Sequence, residues 1–193
     1  MSFDFNKGFT LDFDLSAGLS NNLESLKRNA SNMKGMYLDS EAETALIENG
    51  DPLMYEFHEY GAPADSGDVA AGTSILYPGK VGIEYFMTAG HFHTVLNTAE
   101  VYYCLSGKGY MLIESKDGDT HAHPISQGEM VYVPQGYAHR SINTGDTPLV
   151  TFFAFRGDAG HDYGTIKEKG FRKLIIEKEG KPEITDNPKW GTK

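Results

Sequence analysis

From Leu53 to Phe155 the chain is cut into short apolar and aromatic runs by turn signals. The runs are Met54–Tyr60, Thr73–Tyr77, Ile83–Met87, Glu100–Leu105, Tyr110–Glu114, Met130–Val133 and Leu149–Phe155. The breaks include Pro78-Gly79, Ser106-Gly107-Lys108-Gly109, Lys116-Asp117-Gly118-Asp119, Gln127-Gly128, Gln135-Gly136 and Asn143-Thr144-Gly145-Asp146. Such runs are too short for stable helices but suit strands. Strands spaced by about 8–12 residues specify an all-β sandwich or small barrel. Glu100–Leu105 and Tyr110–Glu114, split by a short glycine-containing loop, read as a hairpin. The unbroken apolar run Leu149–Phe155 suits a strand buried on both faces.

The first fifty residues read differently. Leu23–Asn32 reads as a short helix with Ser20 or Asn21 as cap, and a second helix starts at Ser40, with Ser40 capping and Glu43 at its third position. Gly50-Asp51-Pro52 ends it. The chain divides as one domain over 1–193: an N-terminal helical or irregular arm at 1–50, a β core at 51–156, and 157–193 packing on the core. That last part holds one more strand at Phe171–Glu177 and a surface extension with Pro182 and Pro188.

Charge narrows the partners. Seventeen basic residues against 27 acidic give a net charge of −10. No Lys/Arg surplus is available to neutralise phosphates, which argues against nucleic acid. No apolar run approaches the roughly 20 residues that span a bilayer. The start Met1-Ser2-Phe3-Asp4-Phe5 lacks a basic, then apolar, leader. The single cysteine, Cys104, cannot form an intrachain disulfide and reads as a core filler. The expectation is a cytoplasmic protein.

Four residues carry the chemistry: His91, His93, Glu100 and His139. On a strand, residues i and i+2 share a face, about 7 Å apart at the backbone, so His91 and His93 converge on one point. Glu100 opens the next strand, and a tight return places its carboxylate beside them. His139 follows the run Val131-Tyr132-Val133-Pro134, where another strand can cross the same interior. Three imidazoles and one carboxylate suit Fe(II), Mn(II), Ni(II) or Zn(II), and are too nitrogen-rich for Ca(II). A second pair, His121 and His123, lacks a following glutamate and reads as a solvated strand edge.

The pattern Gly90-His91-x-His93-x(6)-Glu100-x(6)-Gly107, with Gly128-x(5)-Pro134-x(4)-His139-x(3)-Asn143, resembles the two signature motifs of the cupin superfamily. In those proteins three histidines and a glutamate hold a metal inside a small double-sheeted jelly-roll barrel. The gap of six residues before Glu100, longer than in most cupins, narrows the resemblance. So do Tyr77-Pro78-Gly79-Lys80-Val81-Gly82, Glu84-Tyr85-Phe86-Met87-Thr88, Ala138-His139-Arg140-Ser141 and Gly160-His161-Asp162-Tyr163-Gly164. Together these look like the cupin-type phosphoglucose isomerases first known from archaea, over roughly residues 50–177.

That resemblance implies a cupin jelly roll and a homodimer interconverting glucose 6-phosphate and fructose 6-phosphate in glycolysis and gluconeogenesis. It implies one divalent metal per subunit, Fe(II) first, with Ni(II), Mn(II) or Zn(II) as alternatives, on His91, His93, Glu100 and His139. The family's phosphate contacts fall on Tyr55, Ser74, Thr88 and Gly90, with Ser74 standing where threonine is usual. Sugar contacts fall on Tyr102, His161 and Tyr163. Glu100, Tyr102 and His161 are the catalytic candidates, with Glu100 as both ligand and base through a cis-enediol. An Fe(II) cupin dioxygenase and a non-catalytic sugar-binding cupin share the ligand pattern and stand as alternatives.

Two parity arguments complete the reading. Glu100 facing inward turns Tyr102 inward and Tyr103 outward. Thr88, Gly90 and His91 do not share one parity, so a bulge at Ala89-Gly90 is required for all three to reach one pocket. The acidic balance poses a question for an anionic substrate, and Lys80 or His161 are the candidates for a local positive exception.

Overall fold

Thirteen short strands are present among residues 3–190, which the computed structural model describes. In chain order they are β1 Ser25–Asn29, β2 Leu53–Glu59, β3 Val69–Leu76, β4 Lys80–Val81, β5 Glu84–Tyr85, β6 Glu100–Ser106 and β7 Lys108–Ser115. Then come β8 Thr120–Ser126, β9 Met130–Val133, β10 Tyr137–Asn143, β11 Leu149–Arg156, β12 Lys173–Lys178 and β13 Lys181–Asp186. Two helices, α1 Ser40–Glu48 and α2 Gly164–Lys169, flank them.

The strands form a six-stranded sheet ordered β1-β2-β3-β11-β6-β9 and a three-stranded sheet ordered β10-β7-β8. From β6 onward the chain alternates between them: β6 in the first, β7 and β8 in the second, β9 in the first, β10 in the second, β11 in the first. This winding is a jelly roll, the double-sheet solution to burying one face of each sheet. The sheets stay open at their edges and do not close into a continuous barrel. Leu76, Met111, Val133 and Leu149, each at most 1% exposed, fill the interior. Each contributes about 1.5–3 kcal/mol of burial.

The predicted hairpin of β6 and β7 does not form. β6 pairs with β11 and β9, whereas β7 pairs with β10 and β8. Gly107, at φ +82°, is the crossing point, and a Cβ there would stand 2.3 Å from the Pro148 carbonyl oxygen. The glycine turns the chain out of one sheet into the other instead of folding it back on itself.

Leu23–Asn32 is not a helix. It forms β1, paired antiparallel to β2 with Leu26 opposite Phe57 and Arg28 opposite Tyr55, then a single 3-10 turn at Ala30–Met33. The open edge of β2 overrides a weak local preference. The second helix forms as expected, but its cap is Asp39, whose carboxylate accepts from the amides of Glu41 and Ala42 at 3.1 and 2.9 Å. Ser40 is the first helical residue, and Glu43 reaches back to the amide of Gly35. Residues 3–24 lie over the outer face of the large sheet. There Thr73 donates to the Gly18 carbonyl at 2.5 Å, His58 Nδ1 meets the Leu23 carbonyl at 3.0 Å, and Phe13 packs edge-on to Phe152.

The C-terminal segment covers the outer face of the small sheet. Phe171, fully buried, stacks under the Arg140 guanidinium at 4.4 Å. Arg172 pairs with Glu114 at 2.6 Å. The expected surface extension forms β13, which pairs along β12 and completes a sheet ordered β13-β12-β5-β4. Pro182 is tolerated because β13 is an edge strand. Met1, Ser2 and residues 191–193 lie outside the described residues. No helix among those described is long and apolar enough to cross a membrane.

Candidate metal centre and active-site cavity

The segment from Met87 to His93 runs beside β10 without regular pairing. Met87 bridges Ile142 and His91 bridges His139, so four steps on one side oppose three on the other. The extra residue is the bulge that the parity of Thr88, Gly90 and His91 demands. Gly90 carries it at φ +74°, where a Cβ would meet Phe171 at 2.8 Å and the His139 carbonyl at 3.0 Å. The bulge turns His91 and His93 toward the interior, with ring centroids 5.7 Å apart. His139 enters from β10, 4.5 Å from His91 and 5.5 Å from His93. Glu100 enters from the first residue of β6.

One donor atom from each of His91, His93, Glu100 and His139 lies within 4.8 Å of the others. Glu100, His93 and His139 are 2%, 4% and 1% exposed, so the site is largely closed to water. Glu100 Oε2 stands 3.0 Å from His93 Nε2 and 2.9 Å from His139 Nε2.

Proton placement tests whether a cation fits. The Thr98 hydroxyl donates to the Val95 carbonyl at 2.6 Å, so toward His93 Nδ1, 2.7 Å away, it can only accept. The Thr98 carbonyl is a second acceptor for the same Nδ1 at 3.2 Å. His93 Nδ1 therefore carries a proton, which leaves Nε2 as the ring atom turned toward the carboxylate and available to a cation. Nε2 of His91 and Nδ1 of His139 are buried without a hydrogen-bond partner, and the 2.9 Å approach of His139 Nε2 to Glu100 lacks hydrogen-bond geometry. Buried polar atoms left this way cost about 1–3 kcal/mol each. A cation among the four donors satisfies them together, and the residues fit a divalent metal.

The electrostatics agree. Burial works to raise the Glu100 carboxyl, but the rings of His139, His93 and His91 outweigh it and hold the group well below the usual carboxylate range. Burial, with His139 and His161 beside it, pushes the His91 imidazole well below its ordinary value. Both shifts leave ligands in the states that metals bind.

In front of this cluster lies a partly open cavity. Its wall includes every expected substrate residue: Tyr55, Ser74, Thr88, Gly90, Tyr102, His161 and Tyr163. It also includes His91, Glu100 and His139, while His93 sits behind them. Tyr102 faces in at 8% exposure and Tyr103 faces out at 43%, as period two requires. Burial and the neighbouring Glu100 raise the Tyr102 phenol well above its ordinary value, which keeps it a proton donor. The His161 ring lies 4.4 Å from His91 and 5.3 Å from Phe155 at the cavity mouth. Thr88 Oγ1 accepts from the Ser141 amide at 3.0 Å, which leaves its own proton for a ligand.

Two features were not anticipated. Arg28 and Lys167 line a second recess that joins the cavity at Tyr55, Gly90 and Tyr163. Arg28 arrives by pairing opposite Tyr55, and its guanidinium lies 5.9 Å from the Phe57 ring. Lys80, by contrast, is tied to Glu177 at 2.6 Å and lies outside the cavity wall. The second feature is Glu59, on the same face of β2 as Tyr55 and Phe57. Continuing that parity along Met54–Tyr60 would have found it. His121 and His123 stay on an edge strand, with His121 paired to Asp119 at 2.9 Å, apart from this site.

A double-sheeted jelly roll with three imidazoles and a carboxylate converging inside it defines the cupin class. Within that class, a family model described as Glucose-6-phosphate isomerase (GPI) matches residues 27–190, and the chain belongs to that family. It is 44% identical over 186 residues to the glucose-6-phosphate isomerase of Thermococcus litoralis, covering 96% of this chain and 98% of that one. It is 45% identical over 183 residues to the enzyme of the same name from Pyrococcus horikoshii, covering 95% and 96%. A putative glucose-6-phosphate isomerase 2 of Rhizobium meliloti is 40% identical over 149 residues, covering 77% and 74%. An oxalate decarboxylase structure superposes with a TM-score of 0.44 at 28% identity, over 54% of this chain and 26% of that one, a likeness too partial to bear on the chemistry.

Proposed function

We propose that this chain interconverts glucose 6-phosphate and fructose 6-phosphate by a metal-assisted proton transfer between carbons 1 and 2. The observation that carries the reading is the closed cluster of His91, His93, Glu100 and His139 at the floor of a hydroxyl-lined cavity. His91, His93, Glu100 and His139 would hold one divalent metal, Fe(II) first, with Ni(II), Mn(II) or Zn(II) also fitting the donor set. A bound divalent cation supplies Lewis acidity that stabilises negative charge developing on the substrate oxygens.

The remaining steps fall to the chain. Glu100 is held ionised by its imidazole neighbours, and both short contacts use Oε2. Oε1 is then the oxygen that takes the proton from carbon 2 of the aldose and returns it to carbon 1 through a cis-enediol, while a proton passes from the carbon-2 hydroxyl to the carbon-1 oxygen. Tyr102 donates a hydrogen bond beside Glu100, and His161 positions the sugar from the mouth. Tyr55, Ser74, Thr88 and the Gly90 amide donate to the phosphate. Arg28 and Lys167 supply the positive charge that a chain of net charge −10 otherwise lacks at this site.

The same reading places the enzyme in the cytoplasm with its phosphorylated substrates, as a homodimer in glycolysis and gluconeogenesis. Met130 and Tyr132 on the edge strand β9, with Tyr103 beside them on β6, are exposed at 60%, 57% and 43% and support contact with a second copy. No observation favours the dioxygenase or the non-catalytic sugar-binding alternative.

The test is a coupled fructose 6-phosphate assay on metal-stripped protein, repeated with each of the four metals. Turnover is expected only after metal addition, with deuterium from heavy water appearing at carbon 2 of the glucose 6-phosphate formed. Glu100→Gln should keep some metal and lose at least about 100-fold in rate. Full activity without metal, or turnover in Glu100→Gln near wild type, would refute the proposal.

A further inference from the structure

The cavity holds a carboxylate that the proton transfer does not use. Glu59 ends β2, two steps beyond Phe57 and four beyond Tyr55, and shares their inward face. In the sheet it lies opposite Gly72, Gly72 lies opposite Phe153, and Phe153 lies opposite Tyr102. Glycine at 72 is required, because a Cβ there would stand 1.9 Å from the His58 carbonyl oxygen and 2.9 Å from the Phe153 ring. No side chain therefore rises from β3 between Glu59 and the interior.

The Glu59 carboxyl is half-buried, and no described group donates a hydrogen bond or an ion pair to it. Every other carboxylate with a comparable position has a partner: Glu56 accepts from Tyr77, Glu114 pairs with Arg172, and Glu100 meets two imidazoles. An unpartnered carboxyl at the wall of a ligand cavity is a hydrogen-bonding group left for the ligand.

The cavity is also polar along its length. Arg28 and Lys167 stand at the end reached through Tyr55 and Gly90, and Glu100 stands at the floor. Glu59 lies on the Tyr102 row, within electrostatic reach of Glu100, Tyr102 and Tyr163. A second negative group there repels a phosphate and attracts hydroxyl protons.

We propose that Glu59 is a substrate-binding residue, whose carboxyl group takes hydrogen bonds from the sugar hydroxyls at the β2 side of the cavity, three strands along the same sheet face from Glu100, and keeps the phosphate at the Arg28 end. This rests on the sugar-phosphate reading above and adds to it an orienting device. In the metal-free protein, burial first and the nearby Glu100 second hold the Glu59 carboxyl above its ordinary range. A bidentate contact with neighbouring hydroxyls selects a polyol chain over a plain alkyl phosphate, since a site built to bond a hydroxyl penalises its absence.

The experiment compares wild type, Glu59→Gln and Glu59→Ala, each loaded with the same metal and checked for metal content and Tm. It reads KM and kcat for fructose 6-phosphate in the coupled assay, and the affinity of inorganic phosphate by its competitive inhibition. For Glu59→Ala, KM should rise about 10-fold or more, as loss of a hydrogen bond to a charged group predicts. Glu59→Gln, which keeps shape and hydrogen bonding, should fall between the two. Inorganic phosphate should bind the Ala variant as well as wild type or better, because a repelling charge has gone. An unchanged KM in the Ala variant, or phosphate binding weakened in parallel with KM, overturns the assignment. A wild type inactive with every metal overturns the isomerase reading instead. In that case calorimetric binding of fructose 6-phosphate to wild type and Glu59→Ala decides the role of Glu59.

Discussion

Thr98 offers a test of the proposed metal centre that leaves all four candidate ligands in place. Its hydroxyl is 2.7 Å from His93 Nδ1 and its carbonyl is 3.2 Å from the same atom. Together they hold a proton on Nδ1, which leaves Nε2 turned toward Glu100. Thr98→Val removes the hydroxyl and keeps the shape at a position 3% exposed. Groups that orient a ligating histidine typically matter by about 10–100-fold in metal affinity. Here the carbonyl acceptor survives, so the loss belongs at the low end, about 10-fold or roughly 1.4 kcal/mol. The assay is competition for Zn(II) against a chromogenic chelator, run on wild type, Thr98→Val and Thr98→Ser. The serine variant keeps the acceptor and should bind metal close to wild type. If Thr98→Val holds Zn(II) as tightly as wild type, or if valine and serine weaken it equally, the tautomer argument is wrong.

Two further expectations concern stability. Gly107→Ala forces a Cβ onto a left-handed residue and to 2.3 Å from a backbone oxygen; it should destabilise by roughly 2–4 kcal/mol, and an unchanged denaturation midpoint would contradict its role as the crossing point. Glu59 in the metal-free protein keeps its proton up to about 7, above its ordinary 4.5, because burial and Glu100 disfavour the charge. The folded state then binds more protons than the unfolded chain between these values, so stability falls as pH rises from about 4.5 to 7. The full shift corresponds to about 3 kcal/mol, reduced by solvent screening to about 1. Denaturation of metal-free wild type and Glu59→Gln at pH 5 and pH 8 reads this directly, and identical pH dependence in both would rule it out.

Local periodicity made some features legible and could not reach others. Period two separated Tyr102 from Tyr103 because both sit on one regular strand with one buried face. The mismatch of Thr88, Gly90 and His91 pointed to a bulge because three residues with incompatible parity had to serve one pocket. The four candidate ligands were legible because their spacing from neighbouring glycines and a proline resembles the two cupin signature motifs, and the structure brings their donor atoms within 4.8 Å of one another. Arg28 was invisible: it fell inside Leu23–Asn32, a segment read as a helix, and only the pairing of β1 along β2 brings it opposite Tyr55. The β6–β7 hairpin failed for a similar reason. A short glycine loop is compatible with a return or with a crossing, and only the contact of Gly107 with Pro148 decides between them. β13 lies at the surface as the extension with Pro182 was expected to, but its pairing was missed because an edge strand accepts a proline.

The arm that carries Arg28 gives the enzyme a thermodynamic coupling. Residues 3–29 are held to the body by β1 pairing and by contacts such as Thr73 to Gly18, and they deliver a cation to the recess shared with the cavity. Any anion that requires Arg28 binds only molecules whose arm is seated. Occupancy and arm docking are then one linked equilibrium, and ligand at 100 times its Kd holds the arm down by about 2.7 kcal/mol. On the sugar-phosphate reading, saturating fructose 6-phosphate should therefore slow proteolysis and amide exchange of the N-terminal segment relative to the ligand-free protein.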